Sequence, residues 1–282
     1  MEMVHFIPPS QRRLAMLAAQ ADCAPVLIYG ASGTGKGAIA KWIHLNSPRT
    51  GNSFITAEHS RSLVGQISAA QGGALAIYEI GEWPLGEQKI LLDFLKSRSV
   101  PHHGPDGMRM LINTRIIATT SQSLEGRAQG GLFNAELLDK LNVFRIEMPP
   151  LHKRTDEFED IVNGILGEIT RELHKEHIRI LTHDSWGKLK SYDWPGNIRE
   201  LRNVLKMAVV SSNTDRIELE HLPEFGHERI DFRATREQFE KIYITELLKT
   251  FGWKIDKTCR MTRIDRETLL TKMRQYGINP PL

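Results

Sequence analysis

The stretch Gly30-Ala31-Ser32-Gly33-Thr34-Gly35-Lys36-Gly37 constrains this chain more than any other. It follows the apolar run Val26-Leu27-Ile28-Tyr29 and opens a helical segment over 38–44. Strand, glycine-rich loop and helix in that order are the context of a phosphate-binding P-loop. Glycine lets backbone N–H groups turn inward around phosphate oxygens with no Cβ in the way. The helix start adds unpaired donors and the positive end of a dipole, and Lys36 adds a mobile positive charge. All eight residues are therefore candidate nucleotide ligands. Gly37 departs from the general pattern, which places a Ser or Thr hydroxyl for magnesium at that point. A plain glycine-rich turn is the alternative reading.

Around this loop the first 150 residues alternate strands and helices. Segments 53–57, 74–77, 115–120 and 143–148 read as strands. Segments 11–20 and 85–96 read as helices, the second with Ile90, Leu91, Phe94 and Leu95 on one face. The pattern predicts an α/β P-loop core with a mainly parallel sheet covered on both sides. Beyond Pro149-Pro150 the period changes. Phe158, Ile161, Ile165, Ile169 and Leu173 form a helical stripe, and a turn over 193–197 leads into a helix over 198–210. The expected division is a nucleotide-binding core over 1–150, an all-helical unit over 151–222, a linker over 223–235 and a last small domain over 236–282.

Composition excludes several classes. The two cysteines, Cys23 and Cys259, lie at opposite ends with no ligand spacing, which argues against a disulfide framework or a zinc finger. No run of about 18 apolar residues exists to span a membrane, and the N-terminus lacks signal-peptide features, so the cytoplasm is the expected compartment. His174 and His177 flank Glu176 at helical spacing and read as a solvated face; His102-His103 sits in a Pro/Gly loop. No metal site is expected. Charge is unevenly placed: residues 231–282 carry 11 Lys/Arg against 7 Asp/Glu, whereas the rest carries 26 against 27. That bias points to a polyanionic partner at the C-terminal end, with a solvated basic face as the bland alternative.

The blocks GASGTGKG, GGALAIYEIGEWPL, RIIATTSQSLE, LFNAELLDKLNVFRIEMPPLHKR and YDWPGNIRELRNV resemble those of bacterial enhancer-binding proteins, the NtrC-type AAA+ activators of sigma-54 RNA polymerase. The resemblance runs from about residue 12 to the C-terminus and implies a five-stranded AAA+ core with a helical lid, binding ATP or ADP. Residue by residue, the copy departs from the family. Where the family has Asp-Glu at the end of its Walker B strand, this chain has Tyr78-Glu79. Glu79 keeps the place of the general base, here read as vestigial; a phenol does not replace a carboxylate on a hard cation, so magnesium is left open. The family's two arginine fingers fall on Asn134 and Lys140, and Lys140 lacks the planar fork that matches phosphate. Ser121 takes a polar sensor position, and Glu58 stands where an Asn restrains the catalytic Glu. Arg199 matches the lid's sensor arginine; pairing with Glu200 or Glu136 is the alternative. Only 58–71 separates the second strand from Gly72, with nothing like the GAFTGA loop that grips the sigma factor. The family's receiver domain is also expected to be absent.

Residues 236–278 resemble the Fis-type helix-turn-helix that closes these activators, with helices over 236–251, 254–261 and 265–276. Phe239, Ile242, Tyr243 and Leu247 are expected inward on the first. Asp265 is a good N-cap for the third, whose inner face is Leu269, Met273 and Tyr276. Its outer face carries Arg266, Glu267, Thr268, Thr271 and Lys272, of which Arg266, Glu267 and Thr271 are placed to read bases. Lys257, Arg260, Arg263 and Arg274 are placed for phosphates. The resemblance implies double-stranded DNA as partner, a palindromic site and a homodimer through this domain, with RNA polymerase or a homologous regulator as further partners. The expected function is a sequence-specific DNA-binding transcription regulator whose AAA+ domain binds nucleotide, hydrolyses it poorly and does not remodel sigma-54 polymerase. The alternatives are a working ATPase with atypical magnesium coordination and a non-catalytic subunit that modulates an intact relative.

Overall fold

The computed structural model describes residues 6–101, 108–225, 232–262 and 264–279, with the backbone alone for 232–239 and 242. The chain divides into two compact units, Met1–Gly164 with Asp193–Leu201, and Ile165–Tyr192 with Arg202–Leu282.

In the first unit, α1 (Pro9–Gln20) leads into β1 (Val26–Tyr29) and α2 (Lys36–Leu45). Next come β2 (Phe54–Thr56), α3 (Leu63–Ala69), β3 (Ala74–Ile77) and α4 (Leu85–Ser97). A short antiparallel hairpin, β4 (Ser99–Pro101) and β5 (Arg109–Leu111), precedes β6 (Arg115–Thr120), α5 (Leu124–Gln129), α6 (Ala135–Leu141) and β7 (Phe144–Glu147). Five strands pair in the order β2-β3-β6-β1-β7, every neighbour parallel. A parallel sheet is buried on both faces, which is why β3 and β6 read as unbroken runs rather than alternations. Both are buried along their whole length. With β1 between β6 and β7, the carboxyl ends of the strands frame the P-loop, the usual ligand position of an open α/β sheet.

Arg115, at the start of β6, is fully buried at the opposite end of the sheet. Its guanidinium donates to the carbonyls of Ala18, Ala19 and Ala24 and so closes the C-terminal end of α1 onto the core. Burial, then the neighbouring Arg49, pushes its pKa down to about 10.

The second unit holds the ends of α7 (Phe158–Glu172) and α9 (Asn197–Ser211), with α8 (His183–Lys190). Two-residue strands β8 (Ile180–Leu181) and β9 (Arg216–Ile217) pair in parallel, an addition to the all-helical expectation for this region. Ile161, Ile165 and Ile169 of the α7 stripe are fully buried, while Leu173 falls just past the helix and is half-buried. Three helices close the chain: α10 (Phe232–Thr250), α11 (Ile255–Thr262) and α12 (Arg266–Tyr276). α10 starts four residues before the expected boundary, inside the predicted linker, of which 226–231 lie outside the described residues. It buries Ile244 and Leu248, with Tyr243 and Leu247 only half-buried. The inner face is thus turned by one residue from the expected one; the side chains of Phe239 and Ile242 lie outside the described residues. Leu269 is fully buried, with Met273 and Tyr276 packed beside it.

Candidate functional site

The loop between β1 and α2 is a cradle that only glycine can build. Gly33 has φ +79°, and a Cβ there would meet the Gly196 carbonyl oxygen at 2.2 Å. At Gly30, φ +152°, a Cβ would meet the Met148 oxygen at 2.1 Å. Thr34 is buried and its hydroxyl donates to the Ala31 carbonyl at 2.8 Å, closing the loop on itself. Lys36 is buried; its ammonium donates to the Gly30 and Ala31 carbonyls at 2.8 and 3.1 Å and lies 3.3 Å from a Glu79 oxygen.

Residues at the start of α9 complete the cradle. The Arg199 backbone N–H donates to the Gly33 carbonyl at 3.1 Å, and its guanidinium donates to the Ser32 hydroxyl at 3.3 Å. Glu200 and Glu136, weighed as its alternative partners, are engaged elsewhere: Glu200 accepts the Gly196 N–H, and Glu136 pairs with Lys96. Asn197, not singled out from the sequence, is buried at φ 55° and donates to the Ser32 carbonyl at 2.8 Å while accepting the Leu151 N–H at 2.8 Å. Asn tolerates left-handed backbone better than most residues, and its place in the turn before α9 is the signal that would have found it. Beside the loop, a cavity of about 380 Å³ opens between Gly30, Ala31, Ser121 and the Arg145–Glu125 ion pair.

Beyond β3, Glu79 adopts φ 49° and its carboxylate accepts both the backbone N–H and the hydroxyl of Ser121, at 2.7 and 2.8 Å. Burial draws its carboxyl upward, but the Ser121 bonds and the Lys36 charge outweigh burial and hold it below the usual carboxylate range. Glu58 does not take the restraining role the resemblance assigned to that position: its carboxylate pairs with Arg61 at 3.1 Å. Asn134 caps α6 by accepting the Leu137 N–H at 3.0 Å, and Lys140 is exposed. The residues present suit a nucleotide's phosphates: an N–H-lined glycine loop, an ammonium and a guanidinium. They do not suit a magnesium ion. Gly37 has no side-chain oxygen to offer, and a Cβ on it would lie 3.5–3.6 Å from the Tyr78 ring and hydroxyl.

In α10–α12, Asp265 caps α12 by accepting the N–H groups of Glu267 and Thr268 at 3.0 and 3.1 Å. Lys257, Arg260, Arg266, Glu267, Thr268, Thr271 and Arg274 are exposed. Arg266 pairs with Asp256 at 3.1 Å, and the Thr268 hydroxyl turns back to Asp265. Lys272 departs from the expected outer face: its ammonium bonds Glu240 of α10 and the Tyr276 hydroxyl, tying α12 to α10. The long lysine stem reaches over its own helix, which a helical wheel does not register. Arg263 and His102-His103 lie outside the described residues.

Residues 9–151 match the family described as sigma-54 interaction domain. The chain belongs to that family. Residues 152–238 match the AAA+ ATPase lid domain, and residues 235–276 the bacterial regulatory proteins of the Fis family, so the domain make-up is that of an NtrC-type regulator. Alginate biosynthesis transcriptional regulatory protein AlgB of Pseudomonas syringae pv. tomato is 31% identical over 283 residues, covering 90% of this chain and 62% of its own. Regulatory protein AtoC of Escherichia coli is 32% identical over 294 residues, covering 91% of this chain and 63% of its own. This sigma-54-family chain thus spans less than two thirds of these relatives. Among solved structures, NtrX from Brucella abortus in complex with ATP has 25% identity and a TM-score of 0.64, over 95% of this chain and 67% of that one. Among the described residues no helix is long and apolar enough to cross a membrane, and no group of three or more His, Cys, Asp or Glu is placed to hold a metal.

Proposed function

We propose that this chain is a sequence-specific DNA-binding transcription regulator whose AAA+ unit holds ATP or ADP, turns it over slowly and does not remodel sigma-54 polymerase. DNA binding rests on α12, whose capped start presents Arg266, Glu267 and Thr271 to solvent. Nucleotide binding rests on the Gly30–Gly37 cradle with Lys36 and Arg199, and on the ATP held by NtrX.

The observation that carries the loss of mechanical work is α3. Between β2 and β3, where the family's polymerase-gripping loop would project, the chain forms one seven-residue helix. Its Leu63 and Ile67 are spent in the core, so it has no projecting arm. Slow turnover follows from Asn134, which is committed to capping α6 and carries no charge for a neighbouring phosphate. The retained Glu79, ionised and in line with Ser121, is what favours the second reading of a working ATPase. Steady-state phosphate release and open-complex formation with sigma-54 holoenzyme test both. The proposal expects release near background and a closed promoter; ATP-dependent promoter opening, or turnover abolished by Glu79→Gln, overturns it.

A further inference from the structure

The P-loop's cation position in this fold is defined by two side chains: the one following the loop lysine, at 37, and the one just past β3 before the general base, at 78. Here they are Gly37 and Tyr78, and they lie side by side. A Cβ on Gly37 would touch Cε1, Cζ and the hydroxyl of Tyr78 at 3.5, 3.6 and 3.6 Å. The phenol thus stands directly beside position 37, and the two positions together offer a cation no carboxylate and no aliphatic hydroxyl. Tyr78 is half-buried, and burial pushes its pKa up, so the group is a neutral O–H at any physiological pH. A neutral phenol is no ligand for magnesium, which takes carboxylates, phosphates and water. It is a good donor to a phosphate oxygen.

We propose that this site binds its nucleotide without a divalent cation, with the Tyr78 hydroxyl donating to phosphate where the cation would otherwise bridge. This rests on the nucleotide-binding reading above and narrows it. Among the charges at the loop are the cations Lys36 and Arg199 and the anion Glu79, which lies 3.3 Å from the Lys36 ammonium, with the Arg145–Glu125 pair, neutral in sum, beside them. With no metal to neutralise it, each added phosphate brings more negative charge toward Glu79 at low local dielectric. The site therefore holds a nucleoside diphosphate at least as tightly as a triphosphate, the reverse of what a hydrolytic cycle requires.

Calorimetric titration of the full chain with ADP and with ATP, in excess EDTA and in millimolar magnesium, tests this. The expected result is an ADP dissociation constant that differs by less than about threefold between the two buffers, under ~0.7 kcal/mol, with ATP no tighter in EDTA. Tyr78→Phe keeps the ring but loses the donor, and is expected to weaken ADP binding in EDTA by about tenfold. The double variant Gly37→Thr with Tyr78→Asp restores a hydroxyl and a carboxylate, and its affinity becomes magnesium-dependent. A wild-type ADP affinity that falls tenfold or more in EDTA overturns metal-free binding and leaves the nucleotide reading standing. Absence of binding in both buffers, with the fold intact by circular dichroism, overturns the nucleotide reading itself. An unchanged Tyr78→Phe overturns the role of the hydroxyl.

Discussion

Lys36 has three partners in the free loop: the Gly30 and Ala31 carbonyls and the Glu79 carboxylate. An entering phosphate competes with them for the ammonium, so the residue contributes a difference of two charge-assisted states. Lys36→Ala removes a contact to a charged group worth roughly 1.5–3 kcal/mol, and the nucleotide dissociation constant is expected to rise about 10- to 100-fold in equilibrium binding. Glu79 bears on stability through Ser121. Its carboxyl is held below the usual range, so its contribution is present above the ordinary carboxylate pKa and is lost as pH falls through the folded value. Resistance to urea in the wild type is therefore expected to hold from neutral pH down to the ordinary glutamate pKa of about 4.3 and to fall below it, and Ser121→Ala shrinks that loss by releasing the carboxylate. The glycine loop was legible because its chemistry is local: eight consecutive residues specify it. The fit of Tyr78 against Gly37 was not. Each was visible as a departure from pattern, but their proximity joins the start of α2 to the residue just past β3 and no local rule links them. Lys272 failed for the opposite reason, since its face on α12 was clear but its reach to Glu240 was not.

At the scale of elements, apolar runs and caps fixed most boundaries. β3 and β6 came out as read because parallel strands need unbroken burial, and α12 because Asp265 supplies the first turn with an acceptor. What escaped was structure with no period of its own: the two-residue pair β8–β9, the β4–β5 hairpin and the early start of α10. The cap makes a measurable claim. Backbone N–H groups, that of Thr268 first, hold the Asp265 carboxyl below its ordinary range, so the cap is complete at neutral pH and fails as the carboxylate protonates. Asp265→Ala is expected to speed amide hydrogen exchange at Glu267 and Thr268, whereas Asp265→Asn leaves it nearly unchanged. Arg115 makes a second claim. It read as the polar first residue of a strand, yet it ties two carbonyls at the end of α1 and a third, that of Ala24, in the segment before β1 to the sheet. Arg115→Ala leaves those carbonyls without a donor in the interior and is expected to cost about 3 kcal/mol in chemical denaturation.

Across the whole chain, charge separates two tasks. The last 52 residues hold the entire positive excess, while the part that includes the cradle is close to neutral. On the proposed function, nucleotide capture depends on a few fixed groups at one loop, and duplex binding on a surface whose strength comes from displaced counterions. Such binding obeys a simple law: the logarithm of affinity falls with the logarithm of salt at about 0.9 per phosphate neutralised. Lys257, Arg260, Arg263 and Arg274 are the four residues assigned to phosphates, so one chain on DNA gives a slope of about −3.6 and a two-fold pair about −7. Fluorescence anisotropy with a duplex carrying the cognate site, over a salt series, separates them. Arg274→Ala lowers the slope by about 1 for one chain and about 2 for a pair without altering sequence preference, while Arg266→Ala relaxes preference as well. Lys272→Ala leaves the slope nearly unchanged and instead loosens α12 from α10, because its charge is already answered by Glu240. A slope near zero would mean that the basic face meets only solvent, and the reading of α12 as a DNA-recognition helix would fall with it.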